Sequence, residues 1–148
     1  MKKLLIAFAA TLLSASSYAQ IESHVKWGEG VKKISATEVE VLIKATIDEG
    51  WHIYSVNQKD GGPVKTTITI SPSKEFSLVG KTTEPTPITK FEKSFGINVS
   101  YFETSVIFKQ KVKLKAKQTT VKGKIEFMTC NDQKCLPPED LDFTVAIK

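Results

Sequence analysis

The sequence predicts an all-β domain built as a sandwich, and two observations support this fold class. Apolar and polar side chains alternate along much of the chain after its N-terminal segment, and a period of two is the period of a β-strand. Turn-forming groups rich in Gly, Pro, Asp and Ser separate the alternating segments,. Several short strands spaced in this way are typical of a β-sandwich. No long linker divides the chain, so we expect one domain.

The N-terminus has the layout of a secretory signal peptide. Two lysines precede an apolar run from Leu4 to Leu13, and small residues lead up to Ala19,. The run is too short for a stable membrane anchor, and no cysteine stands at the cleavage point to take a lipid. We therefore expect residues 1–19 to be removed and residues 20–148 to be exported without stable membrane insertion. In such a compartment a disulfide can form and persist.

Individual strands follow from the same alternation. Every second residue from Val39 to Ile47 is apolar, so one face of this strand is expected to be buried,. A shorter strand rich in aromatic residues follows the turn at Gly50 and covers residues 51–56,. Further strands are predicted at residues 66–70, 105–114, 121–129 and 141–148.

The segment 82–100 is the least regular part of the chain. Pro85 and Pro87 interrupt its alternation, so we expect irregular structure there. The segment nevertheless carries Phe91 and Phe95, which is more apolar surface than a simple exposed loop needs.

The charge pattern excludes one class of partner. The formal net charge is +5, and every basic residue is a lysine. The planar guanidinium of arginine, which binds phosphates and guanine edges in pairs, is missing, so we expect no nucleic-acid partner. The lysines between residues 109 and 117 alternate with apolar residues. We interpret them as the wet face of a strand that keeps an edge of the sheet soluble.

The only two cysteines, Cys130 and Cys135, lie in the stretch FMTCNDQKCLPPED. An alternating strand leads into Cys130, and Pro137 forces Leu136 into an extended conformation. Both sulfurs are thus expected near the mouth of a hairpin, at an exposed edge. Cys130 ends a regular strand and should be the more sheltered sulfur. Cys135 should be the more approachable one, because the two prolines after it cannot donate backbone hydrogen bonds.

The residues alone leave several uses open for this pair. A structural disulfide is the usual interpretation in an exported domain, although so short a loop restricts the unfolded chain little. Zinc would need further ligands, and His24 and His52 are too far apart in sequence for a compact pair, so we expect no metal site. A redox-active pair is the third use. It would not be a thioredoxin site, which places Cys-x-x-Cys at the start of a helix.

Three segments resemble, in order, parts of the N-terminal periplasmic domain of the disulfide reductase DsbD. FMTCNDQKCLPP is similar to that family's active-site hairpin, in which the second cysteine leads to an apolar residue and two prolines. GWHIYSV, residues 50–56, is similar to its Trp-x-x-Tyr strand. FEKSFGINVSYFE, residues 91–103, falls where the family has an aromatic cap loop. The resemblance covers nearly the whole chain after the signal peptide.

This resemblance implies an immunoglobulin-like sandwich in the periplasm, here as a free-standing domain of residues 20–148 that we expect to be a monomer. Its activity would be thiol-disulfide exchange, which relays electrons from a membrane reductase to client proteins. Thioredoxin-like redox proteins would be partners, and no cofactor beyond the cysteines would be needed. The alternative is an immunoglobulin-like binding or assembly module whose disulfide is purely structural.

The resemblance also implies roles for single residues. Cys130 and Cys135 would be the redox pair, and Cys135 would form the mixed disulfide with partners. His52 and Tyr54 would stand in the aromatic strand beside the site. Phe95 would be the cap that shields the sulfurs, with Phe91 as the alternative.

Two charged residues in the loop act in opposite directions on the reactive sulfur. Lys134 is next to Cys135 and would favour its thiolate, whereas Asp132 would oppose it. The sequence does not rank the two effects.

Overall fold

The computed structural model describes residues 21–148, and this part of the chain is all-β, as predicted. It holds eleven strands and no helix. The strands are β1 (Val25–Lys33), β2 (Glu38–Ile47), β3 (His52–Tyr54), β4 (Thr67–Ile70), β5 (Phe76–Thr83), β6 (Ile88–Glu92), β7 (Ile97–Phe102), β8 (Ser105–Leu114), β9 (Thr119–Phe127), β10 (Thr129–Cys130) and β11 (Glu139–Ile147). The expected signal peptide, residues 1–19, lies outside the described residues.

The strands form three antiparallel sheets around one main core. Their orders are β1-β2-β8-β5, β10-β3-β7-β6 and β11-β9-β4. Buried apolar side chains from all three sheets form a single cluster. Sheets that pack their buried faces around one common core form a β-sandwich,.

Strand β2 shows how the alternation builds the core. The apolar residue at every second position from Val39 to Ile47 is at most 5% exposed, and the residues between them, Leu42 included, are more exposed. From the neighbouring strand β8, Phe108 is fully buried. Its ring lies 6.3 Å from that of Trp27 and 5.9 Å from that of Phe102. Full burial of a side chain of this kind stabilises the fold by about 1.5–3 kcal/mol.

The segment 82–100 is more regular than the sequence indicated. It holds β6 and most of β7, which form a hairpin closed by a turn. In this turn Gly96 has φ 69°, a left-handed conformation that favours glycine,. The amides of Phe95 and Gly96 both donate to the Glu92 carbonyl. Pro85 and Pro87 both precede β6, so they interrupt no backbone hydrogen bonds between the strands of this hairpin,.

Strands β1 and β5 were not predicted, because their sequences do not follow a regular alternation of apolar and polar residues. β1 contains Gly28 and Gly30, which lower its β-propensity,. In β5 the register shifts after Val79, where Gly80 has φ 70°. The buried Gln110 side chain donates to the carbonyls of both residues at this irregularity. Glycines and bulges of this kind interrupt the alternation of apolar and polar residues, so the sequence pattern does not indicate a strand there.

The lysine-rich strand β8 is not at an edge. It pairs with β2 on one side and β5 on the other. Lys109, Lys111 and Lys113 are exposed and alternate with buried residues, so the wet face is confirmed. The interpretation that these lysines protect a sheet edge is wrong, because both backbone edges of β8 are occupied.

The connection between β9 and β11 positions the cysteines. These two strands pair in one sheet, up to the pair Phe127↔Glu139. Between them the chain crosses to another sheet, where β10 pairs with β3 through Thr129↔Ile53 and Cys130↔His52. Because β10 is the outermost strand of that sheet, the cysteines lie at a sheet edge, as the sequence predicted.

Candidate functional site

Cys130 and Cys135 form a disulfide with an S–S distance of 2.04 Å. The two residues face each other in an antiparallel bridge, with 4.0 Å between their Cα atoms. Backbone hydrogen bonds flank the bridge on both sides: the Leu136 amide donates to the Thr129 carbonyl at 2.9 Å, and the Asn131 amide donates to Lys134 at 2.8 Å. The hairpin is therefore held by its own backbone as well as by the sulfurs.

Asn131 organises the four-residue loop. Its side-chain oxygen accepts hydrogen bonds from the amides of Gln133 (2.8 Å) and Lys134 (2.7 Å). An asparagine that bonds the backbone two and three residues ahead is a common way to fix a turn. This loop geometry places Cys135 directly opposite Cys130.

The two cysteines differ sharply in exposure. Cys130 is 2% exposed and packs with Tyr54 and Val99 in a small cluster apart from the main core. Cys135 is exposed. Pro137 follows two residues later and leaves this side of the hairpin outside a regular ladder,. The asymmetry agrees with the expectation from the sequence.

The buried cysteine belongs to the floor of an open cleft of about 460 Å³. We call it the cysteine cleft. Both cysteines, the loop between them and the turn before β7 contribute to its walls. Strand register explains the floor, since Cys130 pairs with His52 and Tyr54 pairs with Tyr101, so these side chains lie on one face of the sheet,. The lining residues are His52, Tyr54, Lys90, Glu92, Ser94, Phe95, Val99, Tyr101, Glu103 and residues 130–135.

Aromatic side chains pack closely on this floor. The His52 ring lies 4.9 Å from the Tyr101 ring and 5.4 Å from the Tyr54 ring. A hydrogen bond of 3.1 Å joins His52 Nε2 and the Tyr54 hydroxyl. The family resemblance predicted His52 and Tyr54 beside the cysteines, and the structure adds Tyr101.

Burial controls the protonation of this floor. It lowers the pKa of His52, against the opposing effect of Glu103 and Asp132 and with a further lowering by Lys90. Burial, helped by Glu92 and Tyr101, raises the pKa of Tyr54 to about 12. Near neutral pH, His52 and Tyr54 are therefore uncharged, and the charges around the cleft come from its rim.

Phe95, and not Phe91, lies at the cysteine cleft. Phe95 is in the turn before β7, is 40% exposed and lines the cleft together with both cysteines. Phe91 is 56% exposed and lies on β6 between Lys90 and Glu92, which both face the cleft. Alternation along a strand therefore points Phe91 to the opposite face.

The two charged loop residues have different surroundings. Asp132 lines the cleft and acts on His52. Lys134 donates to both carboxylate oxygens of Glu22 at 3.2 Å, and its ammonium lies 5.8 Å from the centre of the Trp51 ring. The positive charge beside Cys135 is thus paired with an N-terminal carboxylate that the sequence did not link to the site.

Several cleft residues could not be found from the sequence. Glu92, Val99 and Tyr101 are brought in by the β6–β7 hairpin, which was expected to be irregular. Asn131 had a usable signal, because asparagine directly after a strand is a common turn former.

Residues 21–148 show no group of three or more His, Cys, Asp or Glu side chains placed to hold a metal. Within the same range no helix is long and apolar enough to cross a membrane.

A family comparison over nearly the whole described sequence places this domain in the class of thiol-disulfide interchange domains. The chain belongs to the family described as thiol:disulfide interchange protein DsbD, N-terminal, whose sequence profile matches residues 24–147. The resemblance seen in three short segments is therefore confirmed over nearly the whole described chain.

Solved structures have a similar fold. The N-terminal periplasmic domain of ScsB from Proteus mirabilis has 20% sequence identity and a TM-score of 0.59, over 85% of this chain and 47% of that one. This chain thus spans about half the length of the ScsB structure. The DsbD N-terminal domain of Neisseria meningitidis in the reduced form has 16% identity and a TM-score of 0.55, over 81% of this chain and 84% of that one.

A third structure is the complex between the DsbD N-terminal and PilB N-terminal domains of Neisseria meningitidis. It has 13% identity and a TM-score of 0.52, and 80% of each chain is covered. At these identities the likeness establishes the fold, and it confirms the immunoglobulin-like sandwich. Comparison with curated protein sequences gives no match.

Proposed function

We propose that this domain is an exported redox relay whose Cys130–Cys135 pair carries two electrons between partner proteins. It would be released in the periplasm after removal of residues 1–19, accept electrons from a membrane reductase and pass them to thioredoxin-like clients. Membership of the DsbD N-terminal family supports exchange chemistry. The donor and the clients are the proposed part.

The observation that carries this proposal is the unequal exposure of the two cysteines. Exchange needs one sulfur that a partner can reach and a second that is close enough to resolve the mixed disulfide. The exposed Cys135 fits the first role, and Cys130, 2% exposed and bonded to it, fits the second. A purely structural bridge would gain nothing from this asymmetry.

Loading the domain takes two exchange steps. A thiolate of the reductase attacks the Cys135 sulfur, and Cys130 leaves as a thiolate that takes up a proton. The second thiolate of the reductase then attacks the reductase sulfur that is bonded to Cys135 in the mixed disulfide. This step releases Cys135 as a thiolate. The reductase ends as a disulfide and this domain as a dithiol, so two electrons have moved.

Unloading runs in the opposite sense. The Cys135 thiolate attacks a client disulfide, and one client sulfur leaves as a thiolate. Cys130 then attacks the Cys135 sulfur, restores the internal disulfide and releases the client as a dithiol. The backbone hydrogen bonds across the hairpin support this step, because they hold the two cysteines opposite each other.

The cleft supports selective access to the sulfurs. Phe95 stands on the cleft wall at the tip of the β6–β7 hairpin, where it would shield the pair from small thiols and move when a partner docks. Its 40% exposure shows that it is not held in the core. In the Neisseria meningitidis structure a related domain is in complex with the PilB N-terminal domain, which supports docking of a second protein domain here.

Covalent trapping tests the proposal. Cys130→Ala removes the resolving sulfur, so oxidation with a thioredoxin-like partner that lacks its own resolving cysteine should accumulate a mixed disulfide. We expect a covalent complex that reducing agent dissolves and a Cys135-linked peptide in its mass spectrum. The matched variant Cys135→Ala should trap much less.

Equal trapping by both variants, or a linkage through Cys130, would overturn the assignment of roles. The reduction potential of the unmodified protein tests the redox role itself. A structural bridge lies below about −300 mV, and a working pair lies above that value. A potential below it would favour an immunoglobulin-like module with a structural disulfide.

A further inference from the structure

The hairpin that carries the cysteines is tied to the N-terminal segment by one ion pair. Lys134 Nζ lies 3.2 Å from each carboxylate oxygen of Glu22. Both side chains are about half exposed, at 52% and 51%. The contact joins residues 112 positions apart in the chain, so only the folded domain can make it.

Neighbouring groups fix the Glu22 carboxylate from the other side. His24 Nε2 lies 3.0 Å from Glu22, and His24 Nδ1 lies 3.0 Å from Asp48. The His24 ring stacks on the Trp51 indole with 3.9 Å between ring centres. The same indole lies 5.8 Å from the Lys134 ammonium. Glu22 is therefore held in a network and not merely one mobile surface charge.

This network binds the Lys134 ammonium through residues that lie outside the cysteine cleft. Lys134 is among the residues that line the cysteine cleft. Its ammonium, however, is bonded to Glu22 and lies against Trp51, and neither of these residues lines that cleft. The ammonium of the lysine that precedes Cys135 in sequence is thus bound by Glu22 and Trp51.

We propose that Glu22 is a positioning residue that holds Lys134 away from Cys135 and so sets the reactivity of the Cys135 thiolate. A cation near a cysteine favours its thiolate, which is the nucleophile in disulfide exchange. While Lys134 is paired with Glu22, its stabilising effect on that thiolate is reduced. The inference rests on the proposed role of Cys135 as the attacking sulfur.

A double-mutant cycle tests this arrangement by the alkylation of Cys135. Every protein carries Cys130→Ala, so that iodoacetamide reports on a single thiol, and the rate is followed from pH 5 to pH 10 at low ionic strength. Glu22→Gln should raise the rate at pH 7 about two- to fivefold, the range expected of exposed ion pairs. The midpoint of the pH profile should move to lower pH.

The lysine decides whether Glu22 acts through position or through charge alone. With Lys134→Gln in the background, Glu22→Gln should change the rate much less, because no cation remains to be released. An equal change in both backgrounds would overturn the proposal. Glu40→Gln is the matched control, since it removes the same charge from the outward face of the first sheet, and its rate should stay unchanged.

Failure of this inference and failure of the redox proposal give different results. Additive rates in the cycle, together with trapping through Cys135, would leave the relay standing and remove the role of Glu22. A potential below about −300 mV would remove the relay, whereas the alkylation cycle would still report how Glu22 and Lys134 act on the Cys135 thiol.

Discussion

The main core and the cysteine cleft lie on opposite faces of the same short strands. On β3, Ile53 is fully buried in the main core, whereas Tyr54 faces the cleft. On β7, Phe102 joins the core and Tyr101 the cleft. The core face is mostly apolar and draws on all three sheets, whereas the cleft face is small and aromatic and has charged residues at its rim. One sheet thus contributes to the main core with one face and forms the candidate site with the other.

The sharpest test of this separation is a truncation on the core face. Phe108→Ala should cost about 3–5 kcal/mol of unfolding free energy, because it empties the site between Trp27 and Phe102,. Denaturant unfolding measures this loss. Where the variant still folds, its reduction by dithiothreitol should proceed at the rate of the unmodified protein. A changed rate would mean that the two faces are coupled.

A smaller stability effect is expected from removing the disulfide. The variant with Cys130→Ala and Cys135→Ser should stay folded and lose only about 2 kcal/mol, because the closed loop is short. Alanine at the buried position avoids burying an unpaired hydroxyl. Unfolding monitored by tryptophan fluorescence gives the number. Failure to fold at 25 °C would assign the disulfide to the structural class.

The cap prediction concerns rates more than stability. Phe95→Ala should speed reduction of the disulfide by dithiothreitol several-fold, since Phe95 stands on the cleft wall. Its stability loss should stay below the roughly 3–5 kcal/mol of a buried phenylalanine. Phe91→Ala is the matched control, because Phe91 is also exposed but does not line the cleft. If both variants react alike, Phe95 is not the cap.

The smallest expected effect is on the pH dependence of stability. The two histidines contribute to it with opposite signs, because the pKa of one is lowered in the folded state and that of the other is raised. Burial lowers the pKa of His52 below its usual 6.5. The unfolded chain therefore binds a proton more readily, and stability falls as pH drops below about 6.5. The pKa of His24 is raised by its hydrogen bond to Glu22. Its contribution is complete below pH 6.5 and is lost as pH rises through the raised value.

Unfolding free energies of His52→Gln and His24→Gln measured from pH 4 to pH 9 separate these windows. His52→Gln should flatten the curve on the acid side of pH 6.5, and His24→Gln should flatten it on the alkaline side. Steeper curves in those windows would contradict the assigned pKa directions.

Local sequence was enough for the elements whose pattern and burial agree. The alternation around Val41 predicted β2, and the stretch from Cys130 through Pro137 predicted a hairpin with one sheltered and one approachable cysteine. The β6–β7 hairpin was missed, because its prolines and glycine occupy the flank and the turn, where they are compatible with strands. β8 was assigned correctly as a strand but wrongly to an edge, because alternation does not reveal partners.

What the sequence by itself determined is therefore local: strand periodicity, the turn at Asn131 and the closeness of the two cysteines. The tertiary structure decided which strands pair, and through this it placed Tyr101 beside His52 and Glu22 on Lys134. The physical reason is that side chains within a few residues share a backbone geometry, whereas contacts between distant segments depend on how whole sheets pack around the common core.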